Sequence, residues 1–128
     1  MILLLDTSTG ACKVTLVKGK DHHEYEWQAD RTLARDLLAY LRDRLAEHGS
    51  TFTDLTGIGL MKGPGSFTGL RIGATVANTL SRELGIPIVG SEQENWKQMS
   101  IKRLLDQESD ELILPVYGRP ARITTPRK

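Results

Sequence analysis

Cysteine is nearly absent from this 128-residue chain: with Cys12 alone, no internal disulfide can form and no cysteine cluster can hold structural zinc. A reducing compartment is the plain reading, with Cys12 a small buried side chain. An excess of charge of one sign is also lacking. Seventeen Lys and Arg against sixteen Asp and Glu leave a formal charge of +1, which gives no dedicated nucleic-acid surface and no strong steering field. Long apolar runs are missing too. The opening stretch from Met1 to Asp6 is apolar but far too short to span a bilayer, and it carries neither a basic leader nor a cleavage signal. These absences point to a soluble cytoplasmic protein, and the length fits one domain with a modest core.

What is present is concentrated in Gly63-Pro64-Gly65-Ser66-Phe67-Thr68-Gly69-Leu70-Arg71-Ile72-Gly73. Four glycines, a proline and two hydroxyls lie there between a strand-like and a helix-like segment. Gly63 and Gly65 allow positive φ or close backbone approach, Pro64 fixes the turn, and Ser66 is placed to cap the following helix. Beyond the turn, Gly69, Gly73 and Ala77 recur every four residues and so share one stripe of a helix. A glycine inside a helix costs about 1 kcal/mol relative to alanine. Two on one stripe imply that another backbone, from this chain or a partner, comes very close.

Ile2 to Asp6 reads as a buried strand and Cys12 to Lys18 as an alternating one, with Thr7 to Gly10 the turn between them. A third strand is expected from Glu24 to Ala29, where Tyr25 and Trp27 share a face. Asp30 is placed to cap a helix from about Arg31 to His48, with Leu33, Leu37, Leu41 and Leu45 every four residues and Gly49 as its stop. Ile58 to Met61 makes a fourth strand, a second helix runs from Phe67 to about Leu84, and Gly85 to Gly90 gives a turn and a fifth strand. Further on, Trp96, Met99, Ile101, Leu104 and Leu105 line one face of a polar helix, and Leu112 to Tyr117 makes a last short strand. The expected divisions are a lobe over residues 1–91, a helix and return strand over 92–117, and a basic tail over 118–128. The order β-β-β-α-β-α-β, with a mixed five-stranded sheet, is that of the α/β ribonuclease H-like fold, which is also the first lobe of actin-like ATPases.

The residues also resemble a known family. Leu3 to Thr9, Leu55 to Leu60, Gly63 to Gly73 and Gly85 to Ser91 are similar, in order and spacing, to segments of the TsaB (YeaZ) proteins, the partners of TsaD in making threonylcarbamoyladenosine in transfer RNA. The likeness covers about the first ninety residues, and Pro115-Val116-Tyr117 resembles the segment with which TsaB chains return to the first lobe. It implies a shortened member in which residues 92–114 replace the usual second lobe.

The resemblance implies a non-catalytic scaffold and activator without cofactor, binding a TsaD-like protein through first-lobe helices and meeting tRNA only through the complex. It also raises a TsaE-like ATPase as a further partner and a homodimer in isolation, with no membrane contact. The pairing surface it implies falls on Leu37, Leu41, Leu45, Phe67, Gly69, Leu70, Gly73, Val76, Ala77 and Leu80. The leucine row is equally the usual mark of a core. Asp6, Gly63, Pro64, Gly65, Ser66, Thr68 and Arg71 form the structural loop around the turn, with Asp6 holding its own turn by hydrogen bonds.

The competing reading is an enzyme: a phosphotransferase or nuclease remnant using Asp6. A two-metal nuclease needs further carboxylates converging there, and Asp54, Glu83, Glu92 and Glu94 lie at the wrong ends of their elements. The glycine-rich loop lacks both the Gly-Lys-Ser/Thr ending of a P-loop and the G-x-G-x-x-G spacing. No metal site is expected either. His22 and His23 would point to opposite faces of a strand, an exposed hairpin turn accounts for them, and His48 stands as a distant third imidazole.

Overall fold

The computed structural model describes residues 1–92 and 94–117, so the basic tail expected over 118–128 lies outside the described residues. Three antiparallel strands open the chain: β1 (Ile2–Asp6), β2 (Ala11–Lys18) and β3 (Asp21–Gln28). A 3-10 turn over Asp30–Thr32 leads into α1 (Leu33–Ala46), followed by β4 (Gly57–Met61), α2 (Phe67–Leu84), β5 (Ile88–Ser91) and α3 (Trp96–Leu105). The sheet order is β3-β2-β1-β4-β5, with β4 parallel to β1 and β5 parallel to β4. Three antiparallel strands flanked by two parallel ones, with helices on the faces, is the ribonuclease H-like α/β arrangement. Among the described residues no helix is long and apolar enough to cross a membrane.

β1 sorts the core by its two-residue period. Leu3 and Leu5 face the α1–α2 side, where they join Val14, Leu16, Ile58, Leu60, the α1 leucines and Ala74, Ala77 and Leu80 of α2. Ile2 and Leu4 face the other side, with Val17, Val89, Trp96 and Leu104. Fully burying a Leu or Ile side chain contributes about 1.5–3 kcal/mol, so the larger α1–α2 layer carries most of the apolar stabilisation.

The structure differs from the sequence-based expectation in four places. The two-residue turn at Gly19 (φ +62°) and Lys20 pairs Lys18 with Asp21, so β3 begins at Asp21, and His22 and His23 lie in the strand rather than in a hairpin turn. Asp30 does not cap α1. It sits at φ +46°, its carboxylate accepts from the Gln28 side chain at 3.2 Å, and the 3-10 turn intervenes. On α3 the buried face is Trp96, Ser100 and Leu104, four residues apart, while Met99 and Leu105 are exposed, because each lies one residue, about 100° of turn, from a member of that stripe. Leu112 to Tyr117 forms no strand: the Asn78 side chain of α2 takes both backbone groups of Ile113 and the Val116 amide donates to the Lys62 carbonyl, leaving the segment a strap rather than a ladder.

Candidate functional site

The glycine-rich turn serves the inside of the molecule. Asp6 accepts two hydrogen bonds on one carboxylate oxygen, from the Ser8 amide at 2.9 Å and the Ser8 hydroxyl at 2.6 Å. The buried Thr7 hydroxyl donates to the Gly69 carbonyl at 2.7 Å, and the Ser66 amide donates to the Ser8 carbonyl at 2.7 Å. Ser66 Oγ in turn accepts from the Gly69 amide at 3.3 Å, capping α2. A side chain at Gly69 would collide with the Thr7 carbonyl, one at Gly73 with the Thr7 hydroxyl, and one at Gly65 with the Ser8 backbone. Gly63, at φ +136°, faces the Val116 carbonyl, and Pro64 follows it across a cis peptide bond. The backbone that the small-residue stripe admits is therefore the end of this chain's own β1.

Most of the residues that the resemblance places on a pairing surface are consumed inside the chain. Gly69, Leu70, Gly73, Ala77 and Leu80 are buried within the chain, and Leu37, Leu41 and Leu45 are packed under the sheet at no more than 1 % exposure. The physical reason is that a stripe narrow enough to seat a strand end is filled by it. Of the expected set only Phe67 and Val76 keep accessible surface. Phe67 packs against Tyr117 in a tilted arrangement with centroids 4.5 Å apart, and the guanidinium of the exposed Arg71 lies 5.3 Å from the Phe67 ring centroid.

The opposite flanks of the helices are open. An open groove of about 340 Å³ runs between α1 and α2, lined by Ala34, Thr68, Arg71, Ile72, Thr75 and Val76. Leu38, one turn beyond Ala34, is 50 % exposed. Thr75 also belongs to a second groove of about 480 Å³, bounded by Asn78, Thr79, Arg82, Glu83, Glu111 and Leu112, so the outer face of α2 is continuous from one to the other. This face offers apolar floor and threonine hydroxyls, the chemistry of a contact surface. Among the described residues no three His, Cys, Asp or Glu side chains come together in a metal-holding group.

One cluster escaped the sequence reading. His48 is not distant: its ring lies 4.3 Å from that of His23, and its Nε2 is 2.6 Å from the Tyr25 hydroxyl. Trp27 stacks on Tyr40 at 4.7 Å, and Arg44 lies over both Tyr40 and Tyr25. Burial, then the neighbouring Glu47 carboxylate, push the Tyr25 hydroxyl pKa up. Residues 40, 44 and 48 at helical spacing thus meet 27, 25 and 23 at strand spacing, running in opposite directions. Those two periods were the available signal.

Residues 27–93 match the family of TsaD, tRNA N6-adenosine threonylcarbamoyltransferase. The chain is 31 % identical over 110 residues to the tRNA threonylcarbamoyladenosine biosynthesis protein TsaB of Escherichia coli K12, a match covering 81 % of this chain and 48 % of that protein. Against the TsaB of Haemophilus influenzae it is 37 % identical over 89 residues, covering 69 % and 37 %. YeaZ from Pseudomonas aeruginosa superposes with a TM-score of 0.68 at 31 % identity, over 83 % of this chain and 49 % of that one. The chain belongs to the TsaB (YeaZ) family. It spans about half the length, or less, of these relatives. The four segments that carry the TsaB resemblance form β1 with its turn, the approach to and most of β4, the start of α2, and β5. They are the parallel half of the sheet, β1, β4 and β5, and the helix sewn to it.

Proposed function

We propose that this chain acts in tRNA threonylcarbamoyladenosine biosynthesis as a non-catalytic accessory subunit that docks on a TsaD-like enzyme through the outer face of α1 and α2. The observation that carries this reading is the open α1–α2 groove with the exposed Leu38 beside it, an apolar strip on a helix pair. The TsaD family match over residues 27–93 includes both helices, so a TsaD-like partner presents a comparable helix pair and the two can pack as a four-helix contact. A second copy of this chain offers the same surface and forms a homodimer when the partner is absent. Activation then comes from preferential binding to one state of the enzyme, since equal binding to all states activates nothing. Metal, nucleotide and threonylcarbamoyl chemistry stay with the enzyme, tRNA is met through the complex, and a TsaE-like ATPase joins the assembled pair. The setting is cytoplasmic.

The test is mass by light scattering after size exclusion, for the chain mixed with its cognate TsaD-like protein. A one-to-one complex is expected, weakened about 30-fold by Thr75→Arg or Leu38→Arg, the loss of about 2 kcal/mol typical of an interface hot spot. Both residues are exposed, so the fold tolerates the change. No complex at micromolar concentration, or an unchanged complex with both variants, defeats the reading.

A further inference from the structure

β5 is the last strand of the sheet, and such an edge ordinarily leaves a row of unpaired amides and carbonyls that template another strand. Here the row is occupied. The Pro87 and Ser91 carbonyls accept from the Ile58 and Lys62 amides of the β4 side, so in β5 Ile88 and Gly90 point outward. The Ile88 amide donates to Ser109 Oγ at 3.2 Å, and the Ile88 carbonyl accepts from the Asp110 amide at 2.7 Å. The Gly90 amide donates to Asp110 Oδ2 at 2.9 Å, and the Gly90 carbonyl accepts from Arg103 Nη1 at 3.4 Å. All four outward groups are therefore met, three of them by side chains rather than by a strand.

Arg103 of α3 latches this cap. Its Nη1 donates to Asp110 Oδ2 at 3.0 Å, its Nη2 to the other Asp110 oxygen, and its Nε to Glu108 at 2.7 Å. Further along, Asn78 of α2 grips Ile113 on both backbone groups, at 2.8 and 2.9 Å, and the Val116 amide donates to the Lys62 carbonyl at 2.7 Å. A segment built only to pack against the sheet would add a strand; this one covers the edge without offering a new one.

We infer that Ser109 and Asp110, latched by Arg103, form an in-chain cap on a strand-accepting edge, and that its release lets β5 pair with β5 of a second copy. An antiparallel pairing of two identical edges about a two-fold axis closes on itself, giving one sheet continuous across both copies. This contact is separate from the α1–α2 face and does not depend on the functional reading above.

The experiment is amide hydrogen exchange by NMR on the full chain together with light scattering over a concentration series, comparing wild type with the Ser109→Ala/Asp110→Ala double variant, both carrying Leu38→Arg so that α1–α2 self-association does not contribute. The Ile88 and Gly90 amides should exchange about tenfold faster in dilute variant while Leu4 and Leu60 stay within about twofold, and protection should return with dimer mass on concentration. Wild-type exchange at Ile88 and Gly90, or an opened edge that stays monomeric throughout, overturns the inference. Should the double variant lose protection at Leu4 and Leu60 as well, Arg103→Gln, which keeps both cap residues, is read by the same two criteria.

Discussion

Gly73 has no room for a side chain, because the Thr7 hydroxyl occupies the place a Cβ would take. Gly73→Leu therefore damages the fold rather than a partner contact. Urea denaturation should show a loss of about 3 kcal/mol, the upper part of the usual overpacking range. Cys12 lies at the same scale. It is 1 % exposed, and burial, with the Asp6 carboxylate as a smaller cause, pushes its thiol pKa up to about 12. The nucleophile is the thiolate, so near-neutral pH leaves Cys12 both protonated and inaccessible. Mass spectrometry should find it unmodified by iodoacetamide in the native protein and alkylated in urea. The sequence anticipates a buried Cys12 and marks Gly73 as a close-approach position, but it does not tell what approaches Gly73.

The strap beyond α3 shows what an element can do without regular structure. The Arg103 guanidinium, bonded to the Asp110 carboxylate, holds that carboxyl below its ordinary 3.8, with the Gly90 amide adding to the effect. A carboxyl depressed in the folded state contributes stability that is fully present above its unfolded value and is lost as pH falls through the folded one. The stability advantage of wild type over Arg103→Gln should thus hold from neutral pH to about pH 4 and shrink toward pH 2, as followed by urea denaturation at each pH. An advantage that persists undiminished to the acid end would assign Arg103 to packing instead. At this scale the strands and the first two helices were legible from periodicity, since burial on one or two faces writes itself into spacing. The strap was not: Leu112 to Tyr117 has strand-like composition, yet Asn78 takes both backbone groups of Ile113 that a ladder needs.

For the whole molecule, the described residues place an open groove on the α1–α2 face with the exposed Leu38 beside it, and the proposed docking rests on that face. Alone in solution the chain should show concentration-dependent dimer mass by light scattering, suppressed by Leu38→Arg and displaced by a TsaD-like partner. A dimer indifferent to Leu38→Arg would place self-association elsewhere. The sequence by itself determined the strand and helix order, the sheet class and the turn that joins β4 to α2, because local period, glycine and proline placement and capping chemistry are read within a few residues. Tertiary structure alone decided which flank of each helix stays free. Leu37, Leu41 and Leu45 and the Gly69–Gly73 stripe have the composition of an interface, but the sheet and Thr7 reach them first, and only packing in three dimensions settles which apolar stripe the chain itself consumes.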